Sequence, residues 1–133
     1  MKFTYKRFSN GACRPIIPFE VSNGKKSVRY LALVDSGSDL CVFHKEIADI
    51  LDIDIEKGKK AHVSGVTEGE KQSYYIHPVT LSFGGLKHTA DVGFMANLSK
   101  SGHGILGQYG FFDKYKVSFN LLEEEIEITS HAS

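Results

Sequence analysis

The stretch Val28-Arg29-Tyr30-Leu31-Ala32-Leu33-Val34-Asp35-Ser36-Gly37-Ser38-Asp39 decides how this chain is read. Its first part is almost unbroken in aliphatic and β-branched side chains, the composition of a strand covered on both faces. It then stops at a cluster of carboxylates, hydroxyls and a glycine. A strand this apolar delivers Asp35 to the rim of a dry core. Gly37 permits a sharp turn and a close backbone approach by a ligand. Ser36 and Ser38 carry hydroxyls that can fix the loop through local hydrogen bonds. The same residue types are also the commonest turn formers, so the cluster takes its meaning from what surrounds it.

Outward from that loop the texture is mostly β. Upstream, Lys2–Phe8 alternates charged and apolar residues, the period of a half-buried strand. Pro15–Val21 is a short strand whose prolines argue for an edge or a bend. Ser22-Asn23-Gly24-Lys25 forms a turn, with Asn-Gly supplying the positive φ of a tight hairpin. Downstream, Leu40–Phe43 is apolar again. Ile47, Ile50 and Leu51 then fall at helical spacing within Lys45–Leu51. Lys60–Val66 and Gln72–Phe83 read as the arms of a long hairpin with Thr67-Glu68-Gly69-Glu70 at its tip. Gly84-Gly85 is a tight turn before a strand at Leu86–Met95, and Asn97–Gly104 reads as loop. Gly104-Ile105-Leu106-Gly107 leads into Phe111, Phe112 and Tyr115, which share one side of a helical turn. Lys116–Leu122 and the acidic Glu125–Thr129 make a last pair of strands. The sum is an all-β chain of about eight strands with one or two short helices. With no repeats, low-complexity segments or linkers, residues 1–133 are expected to form a single domain.

Composition narrows the function classes. Hydrophobic residues make up 41% of the 133, enough for a core. Sixteen Lys and Arg balance sixteen Asp and Glu, so no general attraction to nucleic acid or to an anionic membrane is expected. The distribution is uneven: Lys2, Lys6, Arg7 and Arg14 make the start basic, and Glu123, Glu124, Glu125 and Glu127 make the end acidic. The two termini are therefore candidates to pair, within a chain or between chains. No apolar stretch is long enough to span a membrane. The first residues lack the apolar region of a secretory signal, so a cytoplasmic protein is expected and the sequon Asn97-Leu98-Ser99 is read as chance. Cys13 and Cys41 sit among apolar neighbours as small core residues, without the spacing of a disulfide framework. The six histidines show no metal-ligand spacing, and no metal or cofactor is expected. Asp35-Ser36-Gly37-Ser38-Asp39 lacks the Gly-x-Ser-x-Gly pattern of a nucleophile elbow. Tyr74, Tyr75 and Phe83 have no basic residues gathered around them, so packing explains them better than base stacking.

Leu33-Val34-Asp35-Ser36-Gly37-Ser38-Asp39 resembles the signature of aspartic peptidases: two hydrophobic residues, Asp, Thr or Ser, Gly, then Ala or Ser. Ile105-Leu106-Gly107 is similar to that family's second element, which crosses the loop bearing the aspartate. Arg14-Pro15-Ile16-Ile17, followed by the Asn-Gly turn, resembles the opening of retroviral proteases. Gly107-Gln108-Tyr109-Gly110-Phe111-Phe112-Asp113 is similar to bacterial retropepsin-like proteins. The resemblance runs from Arg14 to Ile128. It implies a retropepsin-like closed β-barrel, the equivalent of half an acid protease, with a flap hairpin.

The resemblance also implies a mechanism. Only one Asp-Thr/Ser-Gly copy is present, so a homodimer is expected, with Asp35 of each subunit meeting across a two-fold axis and activating a water to hydrolyse a peptide bond. By the same resemblance Ser36, Gly37 and Ser38 support the active-site loop. Gly37, Asp39, Gly65 and Val66 contact a peptide or protein substrate. Arg14, Ser36 and Asp39 make dimer contacts, Arg14 pairing with Asp39 of the other subunit. The sequence departs from the viral pattern at Gln108, where retroviral proteases usually carry Arg, and in the acidic Gly65–Glu70 tip. The alternative is a catalytically silent dimeric module that uses the same fold for binding or regulation.

Overall fold

The computed structural model describes residues 1–63, 72–96, 98 and 102–131. Strands β1 (Lys2–Thr4), β2 (Lys6–Arg7), β3 (Cys13–Arg14), β4 (Ile16–Asn23), β5 (Lys26–Val34) and β6 (Cys41–His44) lead to helix α1 (Lys45–Ile50) and a 3-10 turn at Ile55–Lys57. Then follow β7 (Lys59–Val63), β8 (Gln72–Phe83), β9 (Leu86–Met95), β10 (Gly104–Leu106), β11 (Tyr115–Asn120) and β12 (Glu125–Ser130). Six of these close into a barrel in the order β4-β5-β10-β6-β9-β8, because β8 also pairs with β4 from Glu20 to Ser22. β7 extends the sheet beyond β8. The barrel is mixed: β10 runs parallel to β5 and antiparallel to β6, and β6 runs parallel to β9. The closed all-β barrel expected from the sequence is therefore present.

Inward-facing residues of these strands build the core. Phe19, Phe43, Phe83 and Phe94 are fully buried with Ile17, Val21, Leu81 and Leu106. Phe19 stacks on Phe83 with ring centroids 5.1 Å apart and tilts against Phe43 at 5.6 Å. Each such side chain contributes about 2–3 kcal/mol by leaving water.

Local detail departs from the sequence reading in four places. β5 is not covered on both faces. Its burial alternates, with Tyr30, Ala32 and Val34 inside and Leu31 exposed, as a barrel with one filled interior demands. β4 is not an edge strand, since it closes the barrel; pairing with β8 begins at Glu20, past Pro18, so the missing proline N–H falls where the strand has β5 as its only neighbour. The β4–β5 turn is centred on Gly24-Lys25, with Asn23 still in the strand and Gly24 at φ +60°. Finally, the segment after β10 is a series of turns, not a helix. Phe112 N–H and Asp113 N–H donate to Gly107 and Gln108 carbonyls five residues back, and Gly110 at φ +108° takes the chain out of helical geometry.

The ends of the chain form a second sheet in the order β1-β12-β11. Lys2 sits opposite Glu127, with their charged groups 3.9 Å apart, and Arg7 pairs with Glu124. The complementary charges of the two termini thus meet within one chain. Ile126 and Ile128 of β12 are fully buried and belong, with Tyr5 and Tyr115, to the same hydrophobic cluster as the barrel core.

Candidate active site

Asp35 sits one residue past β5, where the strand leaves the barrel. Three backbone hydrogen bonds fix this point: Val34 N–H donates to Pro15 O at 2.9 Å, Asp35 N–H to Leu106 O at 2.9 Å, and Ser38 N–H to Asp35 O at 3.2 Å. Gly37 N–H donates to the carboxylate Oδ1 at 2.9 Å, aligning the acid without covering it. Among the described residues Oδ2 has no hydrogen-bond partner. Asp35 is half-buried, whereas Ser36, Gly37 and Asp39 are exposed. Ser38 Oγ donates to Leu40 O at 2.8 Å and so closes the far side of the loop.

The loop is held from beneath by the second motif. β10 slides between β5 and β6, pairing Ile105 with Leu33 on one side and with Val42 on the other. The chain then passes under the Asp35 loop, where Gln108 N–H donates to Ser38 O and Tyr109 N–H to Asp39 O, both at 2.8 Å. A Cβ at Gly107 would run into the Leu40 carbonyl oxygen and stand 2.6 Å from Ser38 O. Only glycine lets the two backbones come this close. Gly107 N–H also points at Cys41 Sγ, 3.4 Å away, and burial pushes that thiol up to about 11.

Gln108 donates its Nε2–H to Ser36 O at 2.8 Å. The residue that departs from the viral pattern thus ties the second motif to the acidic loop with a neutral amide. Its sequence signal was the single mismatch after Gly107; its partner could be named only once β10 was placed.

In front of Asp35 lies a half-open groove of roughly 690 Å³. Gly37, Ser38 and Asp39 line it near the loop. Leu40, Val42, Tyr74, Met95 and Ile105 form its apolar wall, with His62 and Tyr109 at its margins. These wall residues belong to a small hydrophobic cluster separate from the main core. Sequence reasoning did not assign the wall, although Leu40 and Val42 fall at the period-2 spacing that turns them to the same face as Ser38.

Of the residues expected at the site, Asp35, Gly37, Ser38 and Asp39 share the groove, and Ser36 stands in the same loop. Arg14 lies on β3, exposed, with Nη1 3.2 Å from its neighbour Cys13 O. Gly65 and Val66 lie outside the described residues. The hairpin arms β7 and β8 are present, in register from Lys59 opposite Ile76 to Val63 opposite Gln72. The histidines are held singly: His44 caps α1, His77 meets Ile55 O, and His88 bonds both Tyr115 OH and Gly110 O. No helix among the described residues is long and apolar enough to cross a membrane.

A closed barrel in which a hydrophobic-hydrophobic-glycine strand passes beneath an Asp-Ser-Gly loop defines a retropepsin-like aspartic protease fold. The family model described as aspartyl protease matches residues 17–109, and the chain belongs to that family. Among solved structures it is similar to a retropepsin-like aspartic protease from Rickettsia conorii, at 14% identity and a TM-score of 0.66, over 96% of this chain and 89% of that one. It is also similar to the EIAV protease, solved in complex with an inhibitor, at 18% identity and a TM-score of 0.51, over 77% of this chain and 88% of that one. At such identities the likeness speaks for the fold. No curated protein matches the chain.

Proposed function

We propose that this chain is an aspartic endopeptidase whose active form is a homodimer of single-domain subunits, each spanning 1–133 and each supplying one Asp35. The observation that carries the reading is the loop itself: a carboxylate aligned through Oδ1 by Gly37 N–H, undercrossed at Gly107, and open to a groove on its free side. A lone carboxylate cannot be both base and acid toward one water. Two copies facing each other cannot both be ionised, so they share one proton. The charged member takes a proton from the water, which attacks the scissile carbonyl. The neutral member donates to the carbonyl oxygen, and the tetrahedral intermediate collapses with proton transfer to the leaving nitrogen.

In this reading Ser36 steadies the meeting of the two loops, Gly37 offers its carbonyl to the substrate backbone, and Asp39 binds main-chain groups and pairs with Arg14 of the partner subunit. The β7–β8 hairpin, with Gly65 and Val66 near its tip, covers an extended peptide and excludes water. The chemistry proposed needs no metal or cofactor, and neither nucleic acid nor membrane enters it. A cytoplasmic setting fits two thiols that are not paired.

The test is cleavage of an unbiased peptide library by wild type and by the near-isosteric Asp35→Asn, at acidic and near-neutral pH. Wild type should cleave, and the variant should lose roughly a thousandfold or more. Equal cleavage by both would refute the assignment of Asp35. A folded dimer that cleaves nothing would favour the silent binding module.

A further inference from the structure

The groove has a polarity that the catalytic loop does not explain. Its wall crosses the sheet strand by strand: Ile105 on β10, Val42 on β6, Met95 at the end of β9, Tyr74 on β8 and His62 on β7. Neighbouring strands lie about 4.8 Å apart, so His62 stands at the opposite end of this row from Asp35. Between them the wall is apolar. Among the described residues the carboxylates that line the groove, Asp35 and Asp39, belong to the loop end, and the imidazole of His62 belongs to the hairpin end. Ser73, directly opposite on β8, holds His62 Nδ1 with its Oγ at 3.2 Å. That contact orients the ring, and among the described residues Nε2 has no hydrogen-bond partner.

We propose that His62 is a specificity-determining residue that selects an acidic side chain of the substrate, at a position removed from the scissile bond, while the apolar wall receives large apolar side chains closer to it. An Asp or Glu near the loop would be repelled by Asp35 and Asp39. At the hairpin end it gains a charge-assisted hydrogen bond from the imidazole. Because a dimer presents the row twice, the preference falls on both sides of the cleaved bond. This inference rests on the peptidase reading above.

The experiment is the peptide library cleaved by wild type, Ser73→Ala, His62→Leu and His62→Glu, with the ratio of acidic to basic residues scored at every position. Wild type should enrich Asp and Glu over Lys and Arg by about tenfold at one position on each side, the ratio that a charge-assisted hydrogen bond supplies. His62→Leu should abolish the enrichment, His62→Glu should invert it, and Ser73→Ala should reduce it by freeing the ring. The apolar preference next to the scissile bond gives an internal reference in the same digests. Cleavage with an unchanged acidic ratio in both His62 variants would overturn the assignment and leave the peptidase reading intact. No cleavage by wild type would overturn both.

Discussion

At the residue scale the site depends on a few backbone contacts that no side chain can replace. Gly107 is the clearest. The atoms a Cβ would meet are backbone carbonyls of the acidic loop, which cannot swing aside as a flexible side chain would. Gly107→Ala is therefore expected to cost about 2–3 kcal/mol, read as a lower denaturant midpoint, and to lose cleavage beyond that because Asp35 is displaced. His88 carries the pH prediction. Burial drives its ionisation below the ordinary histidine range, against the Gly110 carbonyl, which favours the cation; Lys114 adds to the lowering and Asp113 opposes it. As pH falls below about 6.5 the unfolded chain takes up this proton first. Stability is thus full above that value and is lost as pH drops toward the lowered one. Denaturant midpoints of wild type should fall more steeply between pH 7 and 5 than those of His88→Gln; parallel slopes would remove His88 as the cause. Of these residues, Asp35, Gly37 and Gly107 were legible in the sequence because their motifs need those residue types in that order. Gln108 and His88 were not, because each acts on a partner brought to it by the fold: Ser36 O in one case, Tyr115 OH and Gly110 O in the other.

At the element scale the strands were readable and their surroundings less so. Alternation found β1, and the long arms β8 and β9 followed from the turns at their ends. The double-sided burial expected of β5 failed because an apolar run cannot distinguish a sheet sandwiched by helices from a barrel wall whose outer face is half covered. The helix expected from Phe111, Phe112 and Tyr115 failed for a related reason. Their spacing is satisfied by stacked turns that bury Phe111 and Tyr115. The terminal sheet raises the question of what holds it, the charges that suggested it or the packing beneath. Lys2 and Glu127 are well exposed and 3.9 Å apart, so Lys2→Ala should change stability by no more than about 0.5 kcal/mol. Ile126 is fully buried, and Ile126→Ala should cost about 2–4 kcal/mol through the cavity it leaves. Thermal or denaturant unfolding of the two variants side by side decides the matter; a larger loss from Lys2→Ala would assign the sheet to its ion pairs.

At the scale of the whole molecule, the chain presents one aligned carboxylate in a loop whose flanking residues are exposed. Ser36, Gly37 and Asp39 are exposed, and Tyr109 beside them is 63% exposed. The terminal sheet forms within the chain, β12 lying between β1 and β11. In the proposed dimer the loops themselves and Arg14 make contacts across the two-fold axis. This makes the dimer a rim-charged interface in which one pair weighs heavily: Arg14 is exposed on β3, and Asp39 of the other subunit is its proposed partner. Specific activity should fall on dilution, since a monomer holds half of the acid–base pair. Arg14→Ala should shift that fall to protein concentrations about tenfold higher, with sedimentation giving the matching rise in dimer Kd. Asp39→Asn should shift it in the same direction, and combining the two should add little, because each removes the same pair. Additive effects would show that Arg14 and Asp39 act independently. Activity per subunit that stays flat through the monomer–dimer transition would mean that a single Asp35 suffices, and the shared-proton mechanism would fall with it.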